Sequence, residues 1–153
     1  MHTQVIYAPA FQKPSGKLYL ADAQNNLVSG IQILILLDTI PPAYKDGIEN
    51  VVTHRITPGR AGFYAIVGQV YFMNVITDKG YHSYLRISGG AYVAECEVHA
   101  ALVENISALC SLPCHYLSAA DYIELYAMSE AGVNTVDVYP SEDRTYLSVQ
   151  RVR

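Results

Sequence analysis

Gly62-Phe63-Tyr64-Ala65-Ile66-Val67-Gly68-Gln69-Val70-Tyr71-Phe72-Met73 carries no charge and alternates with a period of two. Alternate residues of an extended strand point to opposite faces. One face here is Tyr64, Ile66, Val70 and Phe72. The other is Phe63, Ala65, Val67, Tyr71 and Met73, with only Gln69 polar. Both faces of this strand call for burial. Ile31 to Leu37 reads the same way, with Ile31, Ile33, Ile35 and Leu37 on one face and Leu34 and Leu36 on the other. An antiparallel sandwich buries only one face of each sheet. Two doubly dry strands therefore imply that one sheet is also covered on its outside, most simply by another copy of the chain.

Around this run the chain is punctuated by Pro9, Pro14-Ser15-Gly16, Pro41-Pro42, Pro58-Gly59, Asp78-Lys79-Gly80, Gly89-Gly90, Pro113 and Pro140. The short segments between are rich in Val, Ile and Tyr, the pattern of a sandwich or barrel. Strands are expected near 31–37, 51–56, 62–73, 81–88, 91–99, 106–112, 121–128 and 145–152. In 91–99, Tyr92, Ala94, Cys96 and Val98 oppose Glu95 and Glu97. In 81–88, Tyr81, Leu85 and Ile87 oppose His82, Tyr84 and Arg86, so both strands are expected to have one wet face. Residues 1–28 stand apart, because Val5-Ile6-Tyr7 and Lys17-Leu18-Tyr19-Leu20 are broken by Pro9, Pro14 and Gly16. They form either an extra strand pair on the same domain or an arm that docks on a partner. The arm is the working expectation, with Val5, Ile6, Tyr7, Phe11, Leu18 and Tyr19 as its docking residues.

The 153 residues suffice for one domain with a sizeable core. They are 51% hydrophobic and 16% charged, below the roughly 25% charge of an average domain. That balance excludes a disordered chain and points to surface hidden against partners. Ten Lys and Arg against 14 Asp and Glu, with no basic cluster, argue against nucleic acid as a partner. No signal-like N-terminus or bilayer-length apolar run is visible, so no membrane insertion is expected. Cys96, Cys110 and Cys114 are an odd set, read as free thiols and small core hydrophobes.

Ile56-Thr57-Pro58 followed by the 62–72 run resembles the central strand of the tumour-necrosis-factor superfamily, Gly-x-Tyr-x-(Ile/Phe)-x-x-Gln-Val-x-Phe, a motif shared more loosely by the globular head of complement component one-q. Leu117-Ser118-Ala119-Ala120-Asp121-Tyr122-Ile123-Glu124-Leu125 is similar to the family's Leu-x-x-Gly-Asp-x-(Val/Ile)-x-Leu, with Ala120 in place of Gly. Thr145-Tyr146-Leu147-Ser148-Val149-Gln150 resembles its last strand. The resemblance spans residues 29–153. It implies an all-β, antiparallel jelly-roll sandwich of about ten strands that trimerises, to which the reading of residues 1–28 adds an N-terminal extended arm. Carried over residue by residue, it places Ala65, Val67, Gln69, Tyr71, Tyr146, Ser148 and Gln150 at the trimer interface. It places Tyr64, Ile66, Val70, Phe72 and Leu125 in the sandwich core.

The resemblance extends to heads of this kind in structural proteins of tailed phages. With neither a membrane span nor Gly-X-Y repeats in the sequence, the expectation is a non-enzymatic virion protein assembled in the host cytoplasm. It would be a homotrimer decorating a capsid, or attached to a tail or fibre, that meets other virion proteins through residues 1–28. The alternative is a carbohydrate- or receptor-binding head, with Tyr44, Tyr92 and Tyr139 near turns as contacts for a host-surface glycan. A cupin-type enzyme is a third class, but the five His show no His-x-His pair. Cys114-His115 are neighbours that a strand sends to opposite faces, and no nucleophile motif is present. The cysteines lack a Cys-x₂-Cys knuckle, and the loop acids Asp46, Glu49, Asp78 and Asp143 form no calcium-loop pattern. No catalytic residue, metal or cofactor is therefore expected.

Overall fold

The structure is a computed structural model that describes residues 15–44, 47–101, 105–133 and 135–152. Its strands are β1 (Ser15–Tyr19), β2 (Ile33–Leu34), β3 (Glu49–Asn50), β4 (Arg55–Ile56), β5 (Gly62–Met73), β6 (Gly80–Ile87), β7 (Tyr92–His99), β8 (Ile106–Leu117), β9 (Ile123–Ser129), β10 (Asp137–Val138) and β11 (Tyr146–Arg151). The described residues contain no helix, so none is long and apolar enough to cross a membrane. All pairings are antiparallel, and the two sheets form a jelly-roll sandwich.

The first sheet runs β1–β11–β5–β8, with β10 pairing the end of β5. The second runs β3–β4–β9–β6–β7, with β2 beside β4 on the same edge of β9. Tyr64, Ile66, Val70 and Phe72 of β5 are fully buried, facing Leu85 of β6 and Ile123 and Leu125 of β9 across the core. Gly68 holds the one buried position of β5 without a side chain. A Cβ there would lie 2.6 Å from Leu125 Cδ1 and 2.9 Å from Leu85 Cδ2, so the sheets close on each other at this point because the residue is glycine. Two buried tyrosines place their hydroxyls on backbone. Tyr64 donates to the Arg60 carbonyl at 2.7 Å, and Tyr81 takes the Ile76 N–H at 2.6 Å.

Three expectations change. Residues 31–37 do not form a long strand of the sheet that holds β5. Only Ile33–Leu34 pair, and they pair with β9 in the second sheet, while Ile31 and Leu36 are exposed. By Thr39 the chain has reached Tyr19 on the first sheet. A segment passing from one sheet to the other meets different neighbours along its length, so its apolar run did not mean two dry faces. The 51–56 strand is instead the hairpin β3–β4, whose turn is held by the Asn50 side chain accepting the Val52 and Thr53 N–H groups.

The boundary at residue 28 also moves. Residues 15–28 belong to the sandwich: β1 pairs with β11 through all five of its residues, and Leu18, Leu20 and Leu27 are core. Leu18 and Tyr19 are thus sandwich residues rather than docking residues of an arm. Val5, Ile6, Tyr7 and Phe11 lie outside the described residues. The turn with Ala120 in place of Gly needs no left-handed backbone. It is closed by the Asp121 carboxylate, which accepts the Ser118 N–H at 2.7 Å.

Candidate functional site

β5 pairs with β11 on one side and β8 on the other, so register alone assembles its outward residues into rows. Tyr146, Gln69 and Leu109 form one row; Ser148, Val67 and Ser111 form the next. Gln150 stands opposite Ala65, and Tyr71 opposite Ser107. All seven residues assigned to a trimer interface therefore share the outer face of the first sheet. None of these outward positions is charged, and Leu109 and Tyr116 are 46% and 56% exposed. The largest surface apolar groups of β8 thus lie beside rows of β5, β8 and β11 that carry no carboxylate or ammonium, while Lys17, opposite Ser148, places a charge on the β1 edge of the face.

The rims of this face are aromatic. Tyr71 meets Tyr139 edge-on at 5.7 Å, and the Arg144 guanidinium sits 4.7 Å from the Tyr71 ring. Lys17 Nζ lies 4.8 Å from the Tyr146 ring and 3.4 Å from Glu142. At the other end Phe63 meets Tyr116 at 5.5 Å. Burial, then the nearby Asp143 charge, holds the Tyr146 phenol above its ordinary pKa, so the ring stays neutral.

The outer face of the second sheet is built differently. His82 and Tyr84, expected on a wet face, are 5% and 3% exposed. The β6–β7 register slips between Leu85 and Arg86, so that Leu85 opposes Ala94 and Arg86 opposes Tyr92. This bulge turns Tyr92 away from the face of Ala94, Cys96 and Val98 on which alternation had placed it. Tyr92 packs 4.8 Å from Tyr84 and 5.6 Å from Tyr126, with Arg86 near both Tyr92 and Tyr126. His82 stacks on Tyr84 from the other side. Burial, the largest cause, pushes the Tyr84 phenol up to about 12.

The remaining candidates are dispersed. Tyr44 lines a shallow cavity of about 260 Å³ with Ile40, Pro41, Pro42, Gly47 and Glu49. Tyr139 is exposed beside Tyr71 on the first sheet, so the three tyrosines named for a glycan do not converge. Cys110 is buried, its thiol pushed up to about 11 mainly by that burial, while Cys96 is half-buried and Cys114 exposed. His54 Nδ1 is 3.0 Å from the Leu37 carbonyl. The grouping that sequence reading missed is His82, Glu97 and Glu130, whose ligating atoms lie within 4.8 Å of one another. These residues come from two strands and the segment after a third, and only the cross-strand register unites them.

No protein-family model and no curated protein matches the chain. Its fold does match solved structures. Eiger TNF from S. frugiperda superposes with a TM-score of 0.70 at 9% identity, covering 93% of this chain and 94% of that one. Murine APRIL gives 0.67 at 11% identity, covering 92% and 100%. The globular domain of zebrafish complement 1qA gives 0.65 at 7% identity, covering 92% and 98%. The chain therefore has a tumour-necrosis-factor/complement-head-like jelly-roll fold.

Proposed function

We propose that the chain is a non-enzymatic structural module of a phage or phage-like virion, a homotrimer formed through the outer face of the first sheet. The observation that carries the trimer is the contrast between the two outer faces. The second sheet presents Arg86, Glu95, Glu97, His99 and Glu124, whereas the central rows of the first sheet present Ala65, Val67, Gln69, Leu109, Ser111, Tyr146, Ser148 and Gln150. Uncharged rows of β5, β8 and β11 with apolar side chains and tyrosine rims have the composition of an interface core. The fold, shared with trimeric heads by resemblance, agrees with that use of the face.

An attachment role for the N-terminus is supported by the apolar Val5-Ile6-Tyr7 and Phe11 that precede β1 in sequence, because β1 forms the edge of the first sheet beside the proposed interface. Attachment to capsid or tail proteins is assigned to residues 1–14. Three arms on one trimer raise avidity for a symmetric lattice without any new contact. The test compares the full chain with a chain beginning at Ser15, added to particles that lack the protein. The full chain is expected to bind and the shortened one to remain a trimer in solution. Equal binding by both would refute the attachment role.

A second reading, a glycan- or receptor-binding head, is favoured by the Tyr84–Tyr92–Tyr126 cluster with Arg86 beside it. Sugar binding by the wild-type chain that is lost in Tyr92→Ala on a glycan array would support it. An empty array would remove it.

A further inference from the structure

We propose that His82, Glu97 and Glu130 bind one divalent transition ion of the zinc class on the outer face of the second sheet. His82 is enclosed, with its side chain only 7% exposed. Its Nδ1 lies 3.1 Å from Glu95 Oε1, which fixes the ring and assigns the proton to that nitrogen. In the neutral ring Nε2 then carries the lone pair. It is shielded from solvent, makes no hydrogen bond, and lies 3.5 Å from Glu130 Oε1. Lone pair facing carboxylate is a mismatch, since both are acceptors. A buried nitrogen left unpaired is costly, and a cation between these groups satisfies all of them at once.

The surroundings fit that use. Glu97 stands directly opposite His82 in the β6–β7 register, and Glu130 is held by its N–H donating to the Gly80 carbonyl at 2.9 Å. A Cβ at residue 80 would lie 2.6 Å from Glu130 Oε2 and 3.1 Å from His82 Nε2, so the carboxylate reaches the ring because residue 80 is glycine. Among the described residues no lysine or arginine forms an ion pair with Glu95, Glu97 or Glu130; their charged partners are His82 and His99. The Glu97 and Glu130 side chains are 47% and 49% exposed, so ordinary rotamer changes can draw them in to the roughly 2.0–2.2 Å bonds zinc requires. The Glu95 carboxylate behind the imidazole is the outer partner that a metal-bound histidine needs. One imidazole and two carboxylates suit zinc or cobalt rather than calcium, which takes six to eight oxygens. The bound ion ties the end of β9 to β6 and β7.

The test uses the untagged full chain, stripped with a chelator and titrated with Zn²⁺ by calorimetry, with Mg²⁺ as the control. Co²⁺ absorption reports the geometry. The expected result is one Zn²⁺ per chain and no Mg²⁺ binding. Glu97→Gln and Glu130→Gln, both at exposed side chains, are expected to weaken binding at least about tenfold, the effect usual for a lost metal contact. Gly80→Ala is expected to weaken it as well, and His2→Ala to leave it unchanged. The proposal is overturned if Zn²⁺ does not saturate at one per chain, if both glutamine variants bind like the wild type, or if His2→Ala abolishes binding. An imidazolium bridging Glu95 and Glu130 is the rival arrangement, and it predicts the first of those outcomes.

Discussion

Gly68→Ala adds one methyl group where the two sheets come closest. The new Cβ would lie 2.6 Å from Leu125 Cδ1, 2.9 Å from Leu85 Cδ2 and 3.5 Å from Cys110 Sγ. To reach ordinary contact near 3.4 Å, the Leu125 methyl must retreat by about 0.8 Å and the Leu85 methyl by about 0.5 Å. Both leucines are fully buried, so neither moves into solvent. Overpacking of this kind costs about 1–3 kcal/mol. The loss of unfolded-state freedom on replacing Gly returns about 0.4–1 kcal/mol, since Gly68 has no left-handed φ that Ala must avoid. The net expectation is a destabilisation of about 1–2 kcal/mol, which lowers Tm by about 2–8 °C for a domain of this size. The assay is thermal unfolding followed by tyrosine near-ultraviolet dichroism at one fixed protein concentration, because oligomer stability depends on concentration. Leu125→Val should relieve part of the cost, so the double variant should be more stable than the two single changes added together, by at least about 0.5 kcal/mol. An unchanged or raised Tm in Gly68→Ala, or strict additivity in the double variant, would refute the packing argument.

Val67→Lys introduces a charge into the uncharged rows of β5, β8 and β11, between Ser148 and Ser111. Burying that charge against a second copy costs several kcal/mol per ion, so light scattering should report folded monomers; a persisting oligomer of the same mass would contradict the assignment of the face. Asp121 is held below its ordinary pKa, first by the Ser118 N–H and then by the Ser88 hydroxyl. A depressed carboxyl stabilises the fold above its unfolded pKa and loses that contribution as pH falls through the folded value. Asp121→Asn should therefore lower the urea midpoint at pH 6 and narrow its gap to the wild type as the pH falls below the ordinary aspartate range; an equal gap across that range would show that the carboxylate charge is irrelevant. With its thiol pushed up to about 11, buried Cys110 should resist alkylation at pH 8 until denaturant opens the sandwich. Peptide mass spectrometry reads this directly, and modification of the folded chain would contradict the burial.

Legible in the sequence is whatever repeats with period two inside one long strand. β5 has twelve residues, so its inward and outward sets could be read without any knowledge of neighbours. β2 was misread because its apolar run passes between sheets, a change of neighbours that alternation cannot express. The place of Leu18 was hidden for a related reason. β1 pairs with β11, more than a hundred residues away, and Pro14 before it and Gly16 within it look like the breaks of a separate arm. Tyr92 failed on a bulge, where one unpaired residue reverses the facing of its neighbours along the strand. The outward face of β5 and β11 was visible residue by residue. The His82–Glu97–Glu130 cluster was not, because it exists only through the β6–β7 register and the placing of Glu130 against Gly80.

The proposed trimer requires that the uncharged outward rows of β5, β8 and β11 be covered by two further copies of the chain. Size-exclusion chromatography with multi-angle light scattering on the full chain tests it most directly. The expected result is a single species of three times the 16.9 kDa chain mass that persists on dilution. A monodisperse species of one chain mass would contradict it.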